Sequence, residues 1–137
     1  MNIKYEINKR ITASQFIELL EKSTLGVRRP IDDQACMQGM VDNSNLMVSA
    51  WHDEQLVGIA RSMTDFHYAC YLSDLAVHKD YQHNGIGKML LKITQQQLGK
   101  RCKLILIAAP AADSYYDNIG FTRNPRCWVL ESDEPVR

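Results

Sequence analysis

With 137 residues, 45% of them hydrophobic, the chain can bury one sizeable core and is too apolar to be disordered. Its 16 Lys+Arg balance 16 Asp+Glu, so charge gives no reason to expect nucleic acid or an anionic membrane as the main partner.

The first ten residues, MNIKYEINKR, lack the apolar stretch of a signal peptide. The longest apolar run, Leu104 to Ala112, is too short to span a bilayer. A cytoplasmic protein is expected. Cys36, Cys70, Cys102 and Cys127 form no CxxC pair and read as free, mostly buried thiols of a reducing compartment. His52, His67, His78 and His83 form no HExxH or other short ligand spacing, so no metal is expected.

No repeat, low-complexity segment or linker interrupts the chain, and a single domain over 1–137 is expected. IKYEI alternates as a short strand does. TASQFIELLEKS follows, with Thr12 or Ser14 as cap and Phe16, Leu19 and Leu20 on one helical face. GVRRPIDD breaks that pattern, and Asp32 or Asp33 then caps a second helix carrying Cys36, Met37, Met40 and Val41. LMVSAW and QLVGIARSM flank the polar turn HDE and read as an antiparallel hairpin. ACYLSDLAV is a third strand of this group. A helix over about Gly85 to Leu98 has Ile86, Met89, Leu90 and Ile93 at the period of a buried face. KLILIAA, Lys103 to Ala109, is apolar enough for a strand covered on both faces. AADSYYDNI is a short helix stopped at Gly120, and GFTRNPRCWVLE ends the chain's order as a strand. The resulting order, β-α-α-β-β-β-α-β-α-β, describes an α/β fold: a mixed, largely antiparallel central sheet flanked by helices.

The segment YQHNGIGKMLLKI puts Gly85 and Gly87 between a strand and a helix. Glycine lacks Cβ, so its N–H can approach a ligand closely. The first N–H groups of a helix have no internal acceptor and carry partial positive charge. Such a turn suits phosphate, and Lys88 adds a cation at the first turn. A plain tight turn is the alternative on this signal alone. A dinucleotide fingerprint is excluded by Leu90, where a small residue is needed. A P-loop is excluded by Gln82 and Met89.

What fits is Gln-x-x-Gly-x-Gly, from Gln82 through His83, Asn84, Gly85 and Ile86 to Gly87, preceded by LSDLAVHKDY. It resembles the acetyl-CoA signature of the GCN5-related N-acetyltransferase (GNAT) family. AADSYYDNIGF, Ala111 to Phe121, resembles that family's later motif and follows in the right order. The resemblance covers about Leu46 to Glu131 and implies the GNAT fold, acetyl-CoA as cosubstrate, and direct transfer of acetyl to an amine.

Residue by residue, the resemblance implies a bulged strand whose Leu75, Ala76 and Val77 contact the acetyl and pantetheine portion. It implies a pyrophosphate cradle from Gln82 to Lys88 and proton donation to the leaving thiolate by Tyr116, five residues before Phe121. Tyr115 beside it is a packing residue. Ala109 departs from the family's usual Asn, and Ser73 from its usual Glu. A serine hydroxyl is a poor base, which leaves Asp74 as the nearest carboxylate. Strand alternation sends Asp74 to the opposite face unless the bulge turns it. Asp65, His67 and bulk water are the other proton acceptors.

The acceptor side is implied to lie at the first two helices, their connection and the central strands. Arg28 and Arg29 are candidates there for holding a carboxylate, with Tyr71 and Ser73 beside them. Trp51, Arg61 and Tyr68 are further candidates for walls of the groove. The expected partner is a small-molecule amine, and the family implies a homodimer as the oligomeric candidate. An acetyltransferase of protein or peptide amines and a non-catalytic acyl-CoA sensor are the rival readings.

Overall fold

Five strands pair in sequence order, β1-β2-β3-β4-β5, in a computed structural model that describes all 137 residues. Strands β1 (Ile3–Ile7), β2 (Leu46–His52), β3 (Gln55–Thr64) and β4 (Ala69–Val77) are antiparallel to their neighbours. β5 (Lys103–Leu106) runs parallel to β4. A parallel neighbour needs a crossover, and helix α3 (Ile86–Gln96) supplies it. Helices α1 (Ala13–Lys22) and α2 (Gln34–Asp42) connect β1 to β2. The residues form two compact units, Met1–Ile107 and Ala108–Arg137.

Local chemistry sets the helix starts. Thr12 accepts from the Gln15 N–H at 3.0 Å, and Gln15 Oε1 accepts from the Thr12 N–H at 2.9 Å, a reciprocal cap. Asp33 caps α2 through the Cys36 N–H at 3.0 Å. Ala13, Phe16, Leu19 and Leu20 form the buried stripe of α1. On α3 the buried residues are Ile86, Leu90, Leu91 and Thr94. Met89, expected on that stripe, is substantially exposed. Thr94 is tolerated inside because its hydroxyl donates to Leu90 O at 2.8 Å.

Gly58 sets how close α3 lies on the sheet. A Cβ there would sit 3.1 Å from both Ile86 Cγ2 and Leu90 Cδ1. Gly58 therefore marks the α3 face of β3. Alternation adds Ala60 and Ser62 to that face and puts Ile59 and Arg61 on the other. Arg61 lies on the α1–α2 side, within cation–π distance of the Phe16 ring (5.8 Å to its centroid).

Three further sequence expectations are corrected. The cysteines expected to be mostly buried are not: Cys70 is buried, Cys102 is half-buried, and Cys36 and Cys127 are exposed. The final strand expected in GFTRNPRCWVLE does not form, so the order of elements ends on helix α4 (Asp113–Asp117). A strand needs a partner, and these residues have none. Pro125 has no N–H to give, the Arg126 N–H turns back to Asn124 Oδ1 at 2.9 Å, and Trp128 is 92% exposed. The Lys103–Ala109 run forms a shorter strand, and it is an edge strand rather than one covered on both faces. Ile105 remains 44% exposed.

The second unit is organised by local contacts. Arg123 grips Asp113 with two bonds, at 3.1 and 2.6 Å, and lies 3.6 Å from Asp117. The Tyr116 and Phe121 rings meet edge to face, and Tyr116 O accepts from the Phe121 N–H at 3.1 Å. Gly120 takes φ +101°, which a residue with Cβ rarely adopts.

Candidate active site

Strand β4 changes character halfway along. Its pairing with β5 covers only Ala69–Leu72. From Ser73 to Val77 the edge on that side has no strand partner. At the same point the β3–β4 register jumps from Ser62↔Leu72 to Arg61↔Asp74. Ser73 is therefore the extra residue of a β-bulge.

The bulge decides where Asp74 points. Paired residues share a face, so Leu72 joins Ser62 on the α3 side while Asp74 joins Arg61 on the α1–α2 side. In a regular strand Leu72 and Asp74 would face the same way.

Asp74 is 1% exposed, and both carboxylate oxygens are engaged by arginines. Oδ1 accepts from Arg29 Nε at 2.5 Å, and Oδ2 accepts from Arg61 Nε. Arg29 Nη2 donates to Ser73 O at 2.8 Å, and Arg61 Nη2 donates to Ser73 Oγ at 3.0 Å. Arg61 Nη1 reaches Ser44 Oγ at 2.9 Å and Met40 O at 3.2 Å, at the end of α2. Arg29 thus spends its donors on the protein, including Arg28 O at 2.9 Å. Arg28 itself is exposed, in the 3-10 turn Leu25–Arg28, as is Val27 before it. Tyr71 is a partly exposed residue of β4, opposite Met63 on one side and Ile105 on the other.

β4 leads into the glycine turn through a short 3-10 segment, Lys79–Tyr81. Tyr81 OH lies 2.7 Å from His52 Nδ1, and its ring meets those of His52 and His78 edge to face. Gln82 Nε2 ties the turn back to Val77 O at 3.1 Å. Asn84 Nδ2 reaches Tyr81 O and Gln82 O, each at 3.1 Å.

His83 takes φ +66° and Gly85 takes φ +77°. The first backbone bond of α3 is Met89 N–H to Gly85 O at 3.0 Å, and no side chain caps the helix. The N–H groups of Ile86, Gly87 and Lys88, ahead of that bond, consequently have no acceptor within the helix. Left-handed residues bend the backbone so that successive N–H groups converge, which is the shape of an anion cradle. Ile86 anchors the cradle in the core, while His83, Asn84, Gly85 and Lys88 are exposed.

The structure thus brings Leu75, Ala76, Val77 and Gln82 to Lys88 together where β4 runs into α3. It brings Arg29, Ser73 and Asp74 together with Arg61 at the bulge. Tyr116 belongs to the second unit, where burial first and the neighbouring Tyr115 second raise its pKa above the usual 10.0. Arg61, read from sequence as a groove wall, is instead a buried partner of Asp74. A charge in the middle of the apolar strand QLVGIARSM was the signal for that role.

A mixed sheet bulged at β4, opened beyond the bulge and followed by an N–H-lined glycine turn defines an acetyltransferase-type α/β enzyme. A family profile described as an acetyltransferase (GNAT) domain matches residues 19–126. The chain belongs to the GNAT family and is an acetyltransferase.

It is 28% identical over 130 residues to an uncharacterized N-acetyltransferase ycf52 of Gracilaria tenuistipitata var. liui, a match covering 87% of this chain and 70% of the relative. It is 33% identical over 116 residues to an uncharacterized ycf52-like N-acetyltransferase of Prochlorococcus marinus, covering 80% of this chain and 63% of that one. Among solved structures, a probable acetyltransferase from meticillin-resistant Staphylococcus aureus superposes with a TM-score of 0.76 at 20% identity, covering 95% of this chain and 98% of the other. An aminoglycoside N-acetyltransferase, AAC(6')-Iy, in complex with CoA, gives 0.72 at 15% identity, covering 96% and 95%. At those identities the likeness is one of fold.

Proposed function

We propose that the protein transfers the acetyl group of acetyl-CoA directly to the primary amine of a small molecule or amino acid. The observation that carries this reading is the glycine turn from His83 to Lys88, ending in the unpartnered first N–H groups of α3, following the half of β4 that lacks a β5 neighbour. The turn suits a pyrophosphate, and the open β4 edge suits the amide groups of a pantetheine arm. One backbone N–H of Leu75–Val77 is assigned to the thioester oxygen, where negative charge develops in the transition state. Tyr116 is assigned proton donation to the departing thiolate, on the strength of its motif and its raised pKa.

The base is assigned to water rather than to Asp74. Asp74 has no exposed side-chain surface, and both its oxygens already accept from guanidinium groups. Ser73, at the bulge, offers only a hydroxyl. The amine then loses its proton through solvent, from an ordinary value of about 10.4 for a lysine-like amine. The exposed Arg28, a cation not committed to an ion pair within the chain, suits a small acceptor that carries a carboxylate, such as an amino acid. The likeness of fold to an aminoglycoside N-acetyltransferase in complex with CoA supports a small-molecule acceptor.

The test is a calorimetric titration with acetyl-CoA, against free adenine nucleotide, followed by a turnover screen. The panel is spermidine, tyramine, an aminoglycoside, a free amino acid and a peptide with a free N-terminus. Saturable acetyl-CoA binding with turnover of a small amine is the expected result. Binding with turnover of the peptide alone would move the acceptor class. No binding by the folded protein at millimolar acetyl-CoA would sink the reading.

A further inference from the structure

We infer that Arg29 is a positioning residue for acetyl transfer, fixing the loop between α1 and α2 to the bulge of β4. The inference rests on the reading of β4 as the thioester strand and of that loop as the acceptor side.

A bulge residue is the least constrained position of a strand, because it has no partner across the ladder. Ser73 is constrained here by other means. Arg29 Nη2 holds its carbonyl at 2.8 Å, and Arg61 Nη2 holds its hydroxyl at 3.0 Å. The same two arginines meet on the Asp74 carboxylate. One buried carboxylate therefore sets the positions of both guanidinium groups, and each group in turn holds Ser73.

The two arginines come from different places. Arg61 belongs to the sheet and reaches the end of α2 through Met40 O and Ser44 Oγ. Arg29 belongs to the loop and is 45 positions from Asp74 in sequence. Its Nε and Nη2 bonds are both made to β4, so the loop cannot move relative to the bulge without breaking both. Arg28, next to it, carries the exposed cation. The loop that would meet the acceptor and the strand that would hold the thioester thus form one rigid element. Bringing reacting groups into a fixed relation is worth large rate factors, and a displacement of about 1 Å costs about a hundredfold.

Arg29 acts through Ser73 and Asp74, not by contact with the acceptor. Its fork geometry is what allows Nε and Nη2 to serve two acceptors at once, and a lysine ammonium at the end of a longer flexible stem does not reproduce it.

The experiment compares Arg29→Ala and Arg29→Lys with the wild type, using acetyl-CoA and whichever amine of the panel above the wild type turns over fastest. Thr12→Ala, which removes the cap at the end of α1 away from the α1–α2 loop, is the control for a loss of stability alone. Arg29→Ala is expected to raise KM for the amine and to lower kcat, with kcat/KM down about tenfold or more. Its acetyl-CoA dissociation constant should stay within about twofold of wild type. Arg29→Lys should fall between the two. Thr12→Ala should lower the melting temperature with both KM values unchanged.

If Arg29→Ala keeps the wild-type amine KM and loses kcat only in proportion to its unfolded fraction, the role is structural and the inference is overturned. If wild-type protein is active and Arg29→Ala matches it, the inference alone falls. If wild-type protein binds no acetyl-CoA, the proposed function falls, and this inference with it.

Discussion

Arg61 and Asp74 stand opposite one another across β3 and β4, one step before the register breaks at Ser73. Their ion pair is buried on both sides, and Arg29 closes it from the loop. Removing the carboxylate leaves two guanidinium groups facing each other in a largely dry site. Asp74→Ala should cost about 3–5 kcal/mol of stability, because a buried charge loses its partner. Chemical denaturation measures this directly. A loss below about 1 kcal/mol would show that water reaches the site and screens the arginines. Replacing Arg61 and Asp74 together by Met and Leu should be less damaging than Asp74→Ala alone, since the desolvation of both charges is removed at once.

Gly85 holds φ +77° at the start of α3, and a Cβ there would meet nothing within 4 Å. The cost of Gly85→Ala is therefore conformational rather than steric, about 1–2 kcal/mol for an L-residue in the left-handed region. If the loop relaxes to avoid that cost, the N–H groups diverge. Acetyl-CoA affinity should then fall about tenfold while the melting temperature drops by a few degrees. Unchanged affinity in the folded variant would argue that the pyrophosphate binds elsewhere.

Asp65 offers a pH signature separate from catalysis. Its Oδ1 accepts from the N–H groups of His67, Tyr68 and Ala69 at 3.0, 2.8 and 3.1 Å. The Tyr68 bond first, then those of Ala69 and His67, lower its pKa from 3.8 to about 2. A depressed folded pKa stabilises the fold above the unfolded value and loses that contribution as pH falls through the folded one. The gap in melting temperature between wild type and Asp65→Asn should therefore be constant above about pH 5 and close between about pH 4 and pH 2. A gap that persists at pH 2 would mean that the loop does not depend on the ionised carboxylate.

Tyr116 has a pKa raised by burial first and by Tyr115 second, so its phenol keeps its proton through neutral pH. Tyr116→Phe removes only that hydroxyl. For a proton donor to the leaving thiolate, kcat should fall about a hundredfold with acetyl-CoA binding kept. The alkaline limb due to Tyr116 should lie above pH 10, where the raised pKa puts it. Wild-type kcat in Tyr116→Phe would return the residue to a packing role against Phe121.

Much of the architecture could be read locally. The caps at Thr12 and Asp33, the hairpin of β2 and β3 and the start of α3 at Gly85 depend on residues within a few positions of one another. The cradle could be read for the same reason: a glycine turn at a helix start leaves N–H groups without acceptors whatever surrounds it. The burial of Met89 was misread because periodicity gives the width of an apolar stripe but not which edge of it the sheet covers. The final strand was misread because β-propensity in CWVLE gives no partner for its hydrogen bonds.

The sequence by itself determined the helix caps, the apolar faces and the position of the glycine turn, since each follows from backbone sterics and short-range hydrogen bonding. Only the tertiary structure decided that Asp74 turns toward α1 and α2, and that Arg29 reaches it from 45 positions away. A β-bulge moves every following side chain to the other face, and its place depends on how two distant strands come into register. A carboxylate that looked available as a base is therefore the anchor of two arginines, a role set by the charges that packing places beside it and not by its neighbours in the chain.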